Sequence, residues 1–203
     1  NSREIEKVKA SQGRLLQTAR IAALCGADSV VFHAAFYMGD PPGNTYLAVK
    51  QCLAEVLNQL KSENNPVCIR PELMGKLSQF GTLDEILNLC AELEGVAPCI
   101  DFAHEHARSS KDNSYPEFAA VLRRIEERLG RTALDNMHIH ISGIHYGHRG
   151  ELKHLNLDES DFQYTELIKA LINYRVSGAV VCESPNLEED ARRLQSTYNS
   201  FAD

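Results

Sequence analysis

The sequence predicts an α/β fold built on a parallel sheet. Three observations predict it. Short β-branched runs alternate with longer amphipathic stretches, polar or glycine-bearing loops separate them, and no linker, tandem repeat or low-complexity segment divides the 203 residues. Five strand–helix units follow one initial helix. Such alternation implies right-handed crossovers, and both a doubly wound sheet and a (β/α)8 barrel fit. Five units in 203 residues scale to about 300 for eight, and barrels run to ~250 or more. A barrel would therefore lack its first three strands here.

The first helix runs from Glu4 to Cys25, with Val8, Leu15, Leu16, Ala19, Ile21 and Ala22 near a helical period and a glycine stop at Gly26. "SVVFHA" is dense in β-branched and aromatic residues and reads as the first strand. The loop "MGDPPGN" leads to a helix from Thr45 to Leu60, which "NNP" breaks before the strand "VCIRPEL". After the loop "GKLSQFG", Thr82 and Glu85 form a capping box for "LDEILNLCAELEG". "VAPCI" is the third strand and ends at Asp101; "ARSSKDNSYP" is a loop and Pro116 to Leu129 a helix. "MHIHIS" is the fourth strand, followed by a long polar loop, "GIHYGHRGELKHLNLDESD", and a helix from Phe162 to Tyr174. "GAVVCES" is the last strand, and "PNLEEDARRLQSTY" the closing helix, with Pro185 near its start.

Composition narrows the function. No stretch approaches the ~20 apolar residues of a membrane span, so no membrane partner is expected. A net charge of −7 excludes a general basic coat for nucleic acid. It is compatible with a local basic groove and with carboxylates that divalent cations offset. The six cysteines form no CxxC pair, and a reducing cytoplasm is the simplest compartment. Cys99 and Cys182 are expected on the strand body or the face away from the neighbouring acids.

Chemistry-bearing side chains gather at strand ends, the face where parallel α/β sheets present residues to a ligand. The first strand ends at His33, the second at Glu72, and the third at Asp101 with His104 just beyond. The fourth carries His138 and His140, and the fifth ends at Glu183. The long loop adds His145, His148 and His154. Singly, each has an ordinary structural role, such as a loop cap, an ion pair with Arg70 or Lys76, or a helix-entry acid. Together, at equivalent positions of five strands, they indicate a metal site. Imidazole with carboxylate suits zinc, manganese or iron, and carboxylates gathered without a cation would repel one another. His138 is expected to be structural, and His106, His145 and His148 to be loop or surface residues. Lys76, Arg108, Arg149 and Lys153 lie in the same loops, as solvated charges or as a small phosphate-reading rim. No nucleophile elbow and no glycine-rich phosphate loop is present.

The ordered set "VVFHAAFYMG", "IRPELMGKLSQFGTLDEIL", "PCIDFAHEHAR", "HIHISGI", "KHLNLDESDF" and "VVCESPNLEEDA" resembles the endonuclease IV family of apurinic/apyrimidinic endonucleases, nearly from end to end. The resemblance implies a single (β/α)8 TIM-barrel domain over residues 1–203, holding the fourth to eighth strands. It implies two or three metal ions, usually zinc with manganese an option, and cleavage of the phosphodiester 5′ to an abasic site in DNA. The implied metal ligands are His33, Glu72, Asp101, His104, His140, His154 and Glu183, with Glu72 bridging two metals as the central catalytic residue. Lys76, Arg108 and Arg149, from their place in the strand-end loops, are the expected substrate contacts. The family's "HPG" stands as "HAA" here. Leu152 occupies the aspartate position of its Asp-x-His loop pattern, and Glu151, one residue earlier, is the candidate substitute. The rival expectation is a sugar isomerase or epimerase of the xylose-isomerase-like barrels. Those share a Glu, Asp, His and Glu set around one divalent metal, which Glu72, Asp101, His140 and Glu183 match here.

Overall fold

The computed structural model describes residues 1–202. The chain divides into two compact units, one of Asn1–Glu72 with Ser78–Pro98, the other of Leu73–Leu77 with the residues from Cys99 onward.

In the first unit, helix α1 (Ile5–Leu24) leads into strand β1 (Ser29–Phe32), and helix α2 (Pro42–Ser62) into β3 (Cys68–Pro71). β1 and β3 pair in parallel, with Val30 opposite Ile69 and Phe32 opposite Pro71. Between them, β2 (Ala35–Phe36) pairs antiparallel with β4 (Gln79–Phe80). Val49, Leu53, Val56 and Leu60 recur at helical spacing along α2 and are all buried. They pack with Ala19, Val30, Ile69, Phe80 and Leu89 into one apolar core. α2 begins at Pro42, three residues earlier than its sequence suggests, because Pro42 supplies a ready-made first helical position. The capping box of α3 (Leu83–Glu92) forms as expected: Glu85 N donates to the Thr82 hydroxyl and Thr82 N donates back to Glu85 Oε2, 2.9 Å.

In the second unit, β5 (Cys99–Asp101), β6 (Met137–Ile141) and β9 (Gly178–Cys182) form a parallel sheet in the order β5–β6–β9. The five expected parallel strands are therefore all present, but the described residues show no closed ring of strands. Helix α4 (Phe102–Ser109) starts directly at the end of β5. α5 (Tyr115–Leu129) buries Phe118, Val121, Leu122 and Ile125, and α7 (Tyr164–Asn173) buries Leu167, Ile168 and Leu171. A short helix, α6 (Arg131–Leu134), precedes β6, and α8 (Glu188–Ala202) closes the described chain. The long segment after β6, expected as a loop, is instead an antiparallel hairpin of β7 (Gly143–Gly147) and β8 (Gly150–Leu155). Among the described residues, no helix is long and apolar enough to cross a membrane.

Candidate metal centre

Strand geometry assembles the first part of the site. Alternate residues of a strand share a face, and register partners of a parallel pair point the same way. Cys99 is opposite His138, and Asp101 opposite His140. The two rows thus lie on one face of the sheet, which corrects the expectation that Cys99 points away from Asp101. β9 continues the upper row, with Val181 beside His140. Glu183, two residues further, extends that face, and its N–H donates to Ile141 O, 2.9 Å. Glu183 Oε1 lies 3.4 Å from His140 Nδ1. Asp101, His140 and Glu183 each offer a ligand atom within 4.8 Å of the others. Asp101 is fully buried, whereas the Glu183 side chain is 32% exposed.

Helix α4 and the hairpin supply the second part. Asp101 caps α4, its Oδ1 accepting from His104 N at 2.7 Å, which fixes His104 in the first turn. His104 Nδ1 lies 3.0 Å from Leu73 O, and His154 Nδ1 lies 3.2 Å from Glu183 O. A carbonyl only accepts, so both rings carry a proton on Nδ1 and turn Nε2 inward. Those two Nε2 atoms are 3.3 Å apart. Two nitrogens bound at ~2.0–2.1 Å to one tetrahedral zinc lie ~3.3 Å apart. Without a proton or a cation between them, the two lone pairs repel. Backbone carbonyls orienting ligand imidazoles from behind are also the usual support of a metal site.

Glu151 completes this second part through an irregularity in the hairpin. Tyr146 pairs with Glu151 but His145 pairs with Lys153, so Leu152 is the extra residue of a β-bulge. In a regular strand, Glu151 and His154 would face opposite sides. The bulge shifts the alternation by one, and both side chains fall on the face that carries Ile144 and Tyr146. Glu151 Oε2 comes to 3.5 Å from His104 Nε2. Leu152 itself is 57% exposed. The close approach of segment Leu73–Leu77 depends on two glycines. Glu151 N donates to Gly75 O, 3.1 Å, and a Cβ on Gly150 (φ 87°) would overlap that carbonyl. A Cβ on Gly75 would sit 2.7 Å from Glu151 Cβ.

The second unit therefore brings Asp101, His104, His140, His154 and Glu183 together and adds Glu151. His33 and Glu72 lie in the first unit, His33 Nε2 3.3 Å from Glu72 Oε2, with Glu72 buried and the His33 side chain 62% exposed. Arg108 is half-buried. Its guanidinium donates to Met74 O at 3.0 Å and Lys76 O at 2.8 Å, bracing the segment on which Gly75 sits. Lys76 Nζ lies 4.0 Å from Glu151 Oε1, and Arg149 is exposed. His145 and His148 are exposed, as expected. His106 is not a surface residue. It is buried on α4, its Nε2 3.2 Å from Asp161 Oδ1 and its ring edge-on to Tyr146. Asp161 also accepts from the Tyr146 hydroxyl, which pushes that phenol's pKa up. Beyond the hairpin, buried Asp190 accepts from Leu157 N at 2.7 Å. Burial works against its charge. Hydrogen bonds from Leu157, Asn186 and Ser184 and the nearby Arg193 outweigh that and hold its carboxyl below the usual aspartate range.

Clusters of this composition, largely buried and with imidazoles beside carboxylates, fit a divalent transition metal. Residues 1–200 match the protein family described as the xylose isomerase-like TIM barrel. The uncharacterized protein MJ0133 of Methanocaldococcus jannaschii is 44% identical over 202 residues, spanning 99% of this chain and 73% of that one. Among solved structures, a D-tagatose 3-epimerase-like protein aligns with a TM-score of 0.75 at 13% identity, over 100% of this chain and 74% of the other. Endonuclease IV from Thermus thermophilus aligns with a TM-score of 0.67 at 18% identity, over 95% and 68%. At such identities the two structures establish likeness of fold.

Proposed function

Because the chain belongs to the xylose isomerase-like TIM barrel family, we propose that it is a divalent-metal-dependent enzyme that moves a proton beside the carbonyl of a sugar, as an isomerase or epimerase. The observation that carries this reading is the convergence of Asp101, His140 and Glu183. Asp101 and His140 are buried and would hold the cation. Glu183 is the member of the set that reaches solvent, so its carboxylate can meet a substrate and take up or return a proton. A bound divalent cation would polarise the sugar's carbonyl oxygen. Leu73 O and Glu183 O orient His104 and His154 so that their Nε2 atoms meet, placed to hold a second ion or to bond a substrate hydroxyl. Sequence resemblance adds Glu72 as a further ligand, and Glu72→Gln should remove activity.

The Nε2 pair of His104 and His154, with Glu151, favours a second reading: phosphodiester cleavage at abasic DNA by two or three ions. Against it, the guanidinium of Arg108 is engaged by backbone carbonyls, and the chain carries a net charge of −7. One experiment separates the two. Protein reconstituted with zinc or manganese is incubated in deuterated water with aldose and ketose panels, and in parallel with an abasic-site duplex, each with and without chelator. Chelator-sensitive deuterium uptake next to the sugar carbonyl supports the isomerase. A nicked duplex with no deuterium uptake refutes it in favour of the nuclease.

A further inference from the structure

The lower row of the β5–β6 face is not used by either reading. Cys99 and His138 are register partners, and His140 follows His138 on the same face. Cys99, His138 and His140 each offer a ligand atom within 4.8 Å of the others. The rings of His138 and His140 stand edge to face, with centroids 5.3 Å apart. Cys99 is fully buried and His140 nearly so, whereas His138 is only half-buried and leaves the trio a way in from solvent. We infer that Cys99, His138 and His140 form an inner thiolate–imidazole site for a thiophilic transition-metal ion, distinct from the carboxylate centre and in competition with it for His140.

The donor set decides the class of ion. One sulfur and two imidazole nitrogens suit Zn2+, Co2+ or Cu+ and are poor ligands for Mg2+, Ca2+ or Mn2+. Asp101 and Glu183, one row above, present oxygen and have the opposite preference. Binding exchanges the thiol proton of Cys99 for the metal, with no change of oxidation state. Competition follows from the chemistry of imidazole. A neutral ring has one lone pair, so His140 serves one ion at a time. Nδ1 of His140 lies beside Glu183 at 3.4 Å, on the carboxylate side. An ion held by Cys99 and His138 would draw His140 away from that side and loosen the upper centre. The inner trio would thus let a thiophilic metal displace the hard ion above it. The ordinary alternative is a buried thiol that acts as a small hydrophobe beside two packed histidines.

The test uses the full chain, stripped with chelator and titrated with Co2+, read by absorption. The near-ultraviolet thiolate-to-cobalt charge-transfer band reports sulfur ligation, and the visible d–d bands report the coordination number of the bound Co2+. The proposal expects a charge-transfer band in the unaltered protein, its loss in Cys99→Ser, and its persistence in Glu183→Gln. His138→Ala, at a half-buried position that folding tolerates better, should weaken Co2+ binding in that band at least roughly tenfold. In protein preloaded with Mn2+, Zn2+ should release Mn2+ by paramagnetic resonance, and Cys99→Ser should suppress the release. Absence of the band in the unaltered protein, or a full-strength band in Cys99→Ser, overturns the inference and leaves the alternative.

Discussion

Replacing His154 with alanine probes the most specific geometry in the molecule. The variant removes one of two Nε2 atoms that stand 3.3 Å apart, the separation of two ligands on one tetrahedral ion. At a zinc concentration of 100 times the dissociation constant, binding stabilises the fold by about 2.7 kcal/mol. Deleting an outer-shell partner already costs ~10–100-fold in affinity, so loss of a direct ligand should reach ~100-fold. The ratio of free ion to dissociation constant then falls to about 1, and the stabilisation to about 0.4 kcal/mol. The difference, about 2.3 kcal/mol, corresponds to roughly 5–9 °C of melting temperature for a chain of this size. Without metal the substitution should cost little. It removes the hydrogen bond to Glu183 O, worth about 1 kcal/mol. Melting curves by circular dichroism, with and without zinc, read both quantities. A His154→Ala protein that keeps the full zinc-induced shift would refute the pairing of these imidazoles around one ion.

Further expectations follow from the same geometry. Glu151→Gln should weaken metal binding by roughly tenfold or more in isothermal titration, while Leu152→Ala, at the exposed bulge, should leave it unchanged. Gly150→Ala should cost about 1–3 kcal/mol in urea unfolding, since it combines a positive φ with overlap of the Gly75 carbonyl. Arg108→Ala should lower stability by roughly 1.5–3 kcal/mol for each charge-assisted hydrogen bond lost and leave the salt dependence of any DNA binding unaltered. The depressed carboxyl pKa of Asp190 stabilises the fold above the unfolded aspartate value, and that stability drains as pH falls through the lower folded value. Asp190→Asn should therefore cost most near neutral pH and progressively less in acid, measured by urea melts across the pH range.

Local rules are sufficient for much of this chain. The alternation of β-branched runs with amphipathic stretches located all five parallel strands, because burial of one helical stripe or one sheet face imposes its own period on a sequence. The capping box of Thr82 and Glu85 was legible because both partners sit within one turn. Asp101, His140 and Glu183 could be placed at strand ends by counting alone. The expectation that Cys99 faces away from the acids failed against a rule the sequence itself supplies, since two residues from Asp101 means the same face.

What the tertiary structure decided are the features that depend on distant segments meeting. His104 faces His154 only because α4 begins at the last residue of β5 and the hairpin folds back over it. Glu151 reaches His104 only through the bulge at Leu152, and a bulge is set by how two strands pair, which neither strand encodes alone. Arg108 carries a charge that suits a phosphate, yet its Nη1 donates to the carbonyls of Met74 and Lys76, and a part-buried guanidinium takes the partners within reach. His106 lies two residues from His104, but helix α4 turns it towards Asp161 rather than the centre. Sequence period specifies which face a residue occupies. Which other residues share the space in front of that face is fixed by the packing of elements far apart in the chain.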